Sequence, residues 1–134
     1  MKHTRTWLCG ATWGSDDLYD QFIREEKWVL GWTNDPQPDG CPAQFNKAQQ
    51  IRIGDGIVLK RLCGRGAQTM RILARGTVMD DPVVQDGLVC CRVLWKDKGC
   101  DKLVNLHACC SAIKGPFVYG IDPNDDRWLN AVWS

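Results

Sequence analysis

Seven tryptophans in a chain of 134 residues constrain the fold more than any other feature of this sequence. They are Trp7, Trp13, Trp28, Trp32, Trp95, Trp128 and Trp133. An indole is bulky, gains most when its ring is buried, and still needs an acceptor for its single N–H. A core of this size rarely needs so many. Most are therefore expected to be structural, and one or two lining a pocket would suffice for a stacking site.

The length suits one domain spanning residues 1–134, because a second hydrophobic core has no residues left to form it. Hydrophobic residues make up 44% and charged residues 25%, as in ordinary globular proteins. The formal net charge of +1 neither demands nor excludes a polyanionic partner, so a nucleic-acid site has to come from local clustering. The N-terminal residues lack the apolar run of a signal peptide, and no stretch approaches the roughly 18–20 apolar residues that span a bilayer. The expected setting is cytoplasmic, with no membrane partner, and the eight cysteines are expected as free thiols.

Along the chain, residues 4–11 read as a first strand with Trp7 and Cys9 on one face and Leu8 on the other. Ser15, followed by Asp16 and Asp17, reads as a helix N-cap with acids in the first turn, and Leu18, Phe22 and Ile23 supply the apolar stripe. Residues 27–32 form a second strand, and the proline-rich segment 33–42 a surface loop. A short polar helix is expected over 43–50. Strands follow at 57–62, 69–79 and 87–96, broken by Asp80-Asp81-Pro82. Pro123-Asn124-Asp125-Asp126 reads as the start of a closing helix over about 123–133. Strand, helix, strand, loop and then antiparallel strands describe an α+β domain built on a small β-barrel with flanking helices.

Two constellations point to nucleic acid. Between Gly56 and Met79 stand Lys60, Arg61, Arg65, Arg71 and Arg75 with no acidic residue, so hairpin neighbours would gather them on one side or rim to meet phosphates. Arg65 lies between Gly64 and Gly66, where a backbone can approach a phosphate closely. The plain alternative is a solvated face that blunts a sheet edge. The second constellation is aromatic: Trp13 in a turn after the first strand and Trp32 at the end of the second. If those strands run parallel through a βαβ unit, both indoles flank one cavity, and Asn34 and Asp35 supply hydrogen bonds to a base edge.

Trp7-Leu8-Cys9-Gly10-Ala11, then Leu18-Tyr19-Asp20-Gln21-Phe22, then Trp28-Val29-Leu30-Gly31-Trp32 resembles the opening of PUA-like domains of the EVE and YTH kind. The segments Ile53-Gly54-Asp55-Gly56-Ile57-Val58-Leu59-Lys60, Arg75-Gly76-Thr77-Val78 and Arg92-Val93-Leu94-Trp95 are similar to the strands that follow in that family. The likeness covers about residues 5–96 and is greatest to the small DNA-reading modules of modification-dependent restriction systems. It implies a non-enzymatic reader that recognises a base, plausibly a modified one, in DNA more than RNA, with an effector activity supplied by a protein partner. It also implies that Trp32 stacks on the base and that Cys9, Gly10 and Ala11 surround the base edge. The further cage tryptophans of the YTH pattern are absent; Met79, Asp80, Asp81 and Pro82 stand there instead. A protein-interaction module of a prophage or defence-related system is the alternative reading, since exposed tryptophans also favour protein interfaces.

Other chemistry has less behind it. Cys90, Cys91, Cys100, His107, Cys109 and Cys110 contain no Cys-x-x-Cys pair, so cysteine as a small buried hydrophobe is the default, with no metal or cofactor expected. A Cys109–His107 dyad has no evident orienting acid, and Cys63-Gly64-Arg65-Gly66 lacks the Gly-Lys-Ser/Thr of a P-loop. No catalytic residue is assigned.

Overall fold

A computed structural model describes residues 3–64, 66–107 and 111–134. In chain order the elements are β1 (Arg5–Gly10), β2 (Thr12–Trp13), β3 (Asp16–Asp17), α1 (Tyr19–Arg24), β4 (Lys27–Val29) and α2 (Pro42–Ala48). They continue with β5 (Gly56–Leu62), β6 (Thr69–Val78), β7 (Val83–Gln85), β8 (Leu88–Trp95), β9 (Lys102–Asn105), β10 (Ile113–Val118) and α3 (Pro123–Trp133). The main sheet runs β10-β1-β5-β6-β8-β4, with β7 on β8 and β9 on β6, and curls into a half-barrel. Among the strands of the described residues, only β1 and β5 pair in parallel; the other strand pairs are antiparallel. The class is α+β. No helix among the described residues is long and apolar enough to cross a membrane.

Period-two alternation along the central strands explains why both faces of the sheet are covered. On β1, Trp7 and Cys9 face a larger core that also holds Phe22 of α1 and Phe45 and Ala48 of α2. Leu8 faces a second core with Trp128, Leu129 and Val132 of α3. On β5, Ile57 and Leu59 belong to the first core and Val58 to the second. A bulge follows: Leu59 pairs with Ala74, but Lys60 pairs with Ile72, so Leu73 is the extra residue. Bulges of this kind bend a strand and re-aim its side chains. Here the bend falls where β5 leaves the core.

The ends of α3 follow the sequence signals. Asp122 caps it by accepting from the Asn124 N–H at 2.8 Å, Pro123 opens it, and Asp125 and Asp126 occupy its first turn. The first helix differs from expectation. Ser15 lies in the turn of the small β2–β3 hairpin and caps nothing; α1 starts at Tyr19, whose N–H donates to Asp17 Oδ1 at 3.0 Å. Gly14 takes a positive φ of 60°, which lets the chain turn back and form the hairpin. The second strand is also shorter than expected, ending at Val29, although Leu30 still donates to Val89 O at 3.0 Å before Gly31 turns away.

β1 and β4 are not neighbours, so the βαβ arrangement does not form. The parallel partner of β1 is β5, and β4 lies at the far end of the sheet against β8.

Four indoles are satisfied as buried indoles should be. Trp7 Nε1 donates to Asp55 Oδ2 at 2.8 Å, Trp28 to Gly10 O at 3.0 Å, Trp95 to Phe22 O at 3.2 Å and Trp133 to Thr6 Oγ1 at 3.1 Å. The Trp7 acceptor is itself a hub. Asp55, only 6% exposed, also takes the Arg52 backbone N–H at 2.9 Å and the Arg5 guanidinium at 3.2 Å on the same oxygen.

Candidate nucleic-acid interface

The parallel strands β1 and β5 finish side by side, with Gly10 opposite Lys60. Beyond their ends opens a cleft of about 470 Å³, lined by Gly10, Ala11, Trp32, Lys60 and Arg61 from the sequence-derived set, and by Thr12, Gln44, Leu62, Ser111 and Ala112. Its volume lies within the roughly 300–1,000 Å³ usual for small-ligand pockets. Trp32 is half-buried: its ring leans on the edge of the larger core and also lines the cleft. Its indole N–H makes no hydrogen bond among the described residues.

Local structure accounts for each wall. Gly10 closes β1 with both backbone groups engaged, its N–H donating to Ala112 O at 2.9 Å and its carbonyl accepting from Trp28. It therefore offers the cleft a smooth surface more than hydrogen bonds. Gln44 sits on α2 beside the buried Phe45, and its Oε1 accepts from the Ala112 N–H at 2.9 Å, tying the helix to the start of β10. Lys60, only 8% exposed, is the first β5 residue past the bulge at Leu73 of β6. Arg61 is exposed and paired with Asp17. No Asp, Glu or His lines the cleft among the described residues.

The remaining sequence-derived residues are placed elsewhere. Cys9 is fully enclosed in the larger core, and burial pushes its thiol well up from the ordinary range, so its side chain cannot touch a ligand. Trp13 lines a different hollow of about 370 Å³, with Leu18, Phe22, Val29, Leu88 and Cys90 among its walls. Its ring lies against Gly31 so closely that a Cβ there would come within 2.9 Å. Asn34 and Asp35 are exposed on the loop after Trp32 and do not line the cleft; Asp35 closes a local turn with Thr33 at 3.1 Å.

The basic run divides as well. Arg71 meets both carboxylate oxygens of Asp101 at 3.0 Å. Arg75 pairs with Asp97 at 3.0 Å and donates to Val132 O at 2.6 Å and Ser134 O at 3.0 Å. Arg75 thus ties β6 to the end of α3 and Arg71 forms an exposed ion pair; of the run, Lys60 and Arg61 line the cleft. Arg65 lies outside the described residues.

Thr12, Gln44, Leu62, Ser111 and Ala112 are the cleft residues that the sequence did not point to. Gln44 stands in a short polar helix with no motif around it, and only the closure of α2 onto β10 brings it to the site. His107 also differs from expectation, because it does have an orienting acid: its Nε2 lies 2.7 Å from Asp125 Oδ1, on a ring stacked 5.3 Å from Trp128. Its supposed partner Cys109, like Cys110, lies outside the described residues.

Fold and cleft together define an α+β half-barrel with an aromatic, cationic hollow at the ends of its parallel strands. Comparison with protein-family models and with curated proteins finds no match to the chain.

Proposed function

We propose that this chain is a nucleic-acid reader of the PUA-like kind, holding an unstacked base against Trp32, without catalysing a reaction. The observation that carries the reading is the coincidence, in one cleft, of a half-exposed indole with Lys60 and Arg61. Single bases are held by stacking on aromatic rings, and the backbone beside them by cations. A flipped base needs a hollow of this size with polar groups at its edge. The absence of a lining carboxylate or imidazole among the described residues favours binding over chemistry. Likeness to DNA-reading modules makes DNA the first partner to test.

The test is fluorescence anisotropy with labelled single-stranded and duplex oligonucleotides, modified and unmodified, across a salt series. Arg61→Ala is expected to weaken binding to every sequence alike and to lower the salt slope by about one, since one phosphate contact is lost. Absence of binding to all of them at low salt contradicts the reading. A second reading, as a protein-binding module, is favoured by the exposed Val83 and Val84 on β7, at 56% and 51%. Nucleic acid that co-purifies and leaves in a high-salt wash separates the two.

A further inference from the structure

We infer that the hollow beside Trp13 is a docking site for a basic protein segment, taking one lysine or arginine side chain while the segment's backbone lies along β7. The inference stands apart from the reader function, because this hollow shares no lining residue with the cleft.

The hollow, of about 370 Å³, combines an aromatic ring, aliphatic walls and uncompensated negative charge. Trp13 is half-buried in it and meets Phe22 edge-on at 6.4 Å, while Leu18, Val29 and Leu88 supply aliphatic surface. Asp16 on β3 and Asp86 in the β7–β8 turn also line it. Both carboxylates are exposed, and neither has an ion-pair partner among the described residues. Lys27, the cation that lines the hollow, is held by Glu25 at 2.9 Å, so the charges of Asp16 and Asp86 stand unanswered. Such a site suits a cation on an aliphatic stem. The ring attracts the charge, the carboxylates pair with it, and the stem covers the aliphatic walls.

β7 makes the occupant a protein. Gln85, its last residue, lines the hollow beside Asp86, and its other two residues, Val83 and Val84, are both exposed. Among the described residues β7 pairs with β8 alone, so its second edge is open to main-chain hydrogen bonds from an extended segment. Charge decides against a second copy of this chain. Asp81 and Asp86 flank the two ends of β7, so antiparallel pairing of two copies about Val84 would set acid against acid. A basic segment meets the same two acids with opposite charge.

The experiment titrates peptides acetyl-Gly-Val-X-Val-Gly-amide, with X lysine, arginine, norleucine or glutamate, into ¹⁵N-labelled protein at low salt and follows the Trp13 indole signal. The lysine and arginine peptides are expected to shift that signal and to bind about fivefold more tightly than the norleucine peptide. The glutamate peptide is expected to leave it unmoved. Asp16→Asn combined with Asp86→Asn should bring the lysine peptide down to the norleucine level with the melting temperature unchanged. Both groups are exposed, and asparagine also accepts the φ of 53° at Asp86. Equal binding of lysine and norleucine, an unmoved Trp13 signal with every peptide, or full lysine affinity in the double variant overturns the inference. Butylammonium ion binding as tightly as the lysine peptide overturns the protein segment in favour of a small amine. A dimer, seen by light scattering, that the double variant dissociates overturns it in favour of a second copy.

Discussion

Asp55→Ala is expected to lower the melting temperature by about 6–20 °C, a large effect for a single polar substitution. One carboxylate oxygen accepts from the Trp7 indole, the Arg52 backbone and the Arg5 guanidinium. Trp7 is fully buried, so removing its acceptor strands an N–H that water cannot reach. Each stranded buried donor costs about 1–3 kcal/mol, and Arg5, partly exposed, recovers its hydration. The sum is about 2–4 kcal/mol, and at this chain length each kcal/mol shifts the midpoint by roughly 3–5 °C. Asp55→Asn should fall by less than half as much, because its amide oxygen can take the same three donors. Thermal unfolding followed by circular dichroism checks both, and an alanine variant melting within 2 °C of wild type would show that the hub contributes little.

Trp32→Ala is expected to carry the largest effect on binding. Loss of one base–aromatic stack costs roughly 1–3 kcal/mol, or about five- to 150-fold in affinity. The ring is half-buried at the margin of the core, so the fold should survive with a melting temperature reduced by only a few degrees. Trp32→Phe should keep most of the affinity, since a smaller ring still stacks. Trp13→Ala makes the control: that ring packs on Gly31 and lines the other hollow, so its loss should cost stability and leave affinity within about twofold. Equal losses at positions 13 and 32 would mean that binding follows general stability and not the cleft.

The part of the fold that was legible in the sequence is the part with strong local patterns. The alternation Trp7-Leu8-Cys9 places its residues in two different cores as the period of a strand requires. The Asp122-Pro123 start of α3 needs nothing beyond its own residues. Ser15 misled because a hydroxyl before two acids serves a hairpin turn as well as a helix cap, and Gly14 decides for the turn. β10 was not read because its sequence, Ile-Lys-Gly-Pro-Phe-Val, carries a glycine and a proline, and its partner β1 lies more than a hundred positions away.

The candidate site was legible in outline for the same reason and blurred for the opposite one. Gly10, Ala11, Trp32, Lys60 and Arg61 do meet in one cleft. Arg71 and Arg75 looked available because the acids that hold them, Asp101 and Asp97, stand outside the basic run. Trp13 and Trp32 are equivalent in any compositional reading. Only the packing of one indole against Gly31 separates them.

The most direct measurement of the central claim is the ¹H–¹⁵N spectrum of the tryptophan indoles, with the Trp32 signal assigned from Trp32→Phe, recorded as an oligonucleotide is titrated in. A base seated in the cleft shifts or broadens the Trp32 signal in proportion to occupancy and leaves that of the buried Trp7 unchanged. Saturated binding with the Trp32 signal unmoved contradicts the assignment of the cleft as the place where nucleic acid is read.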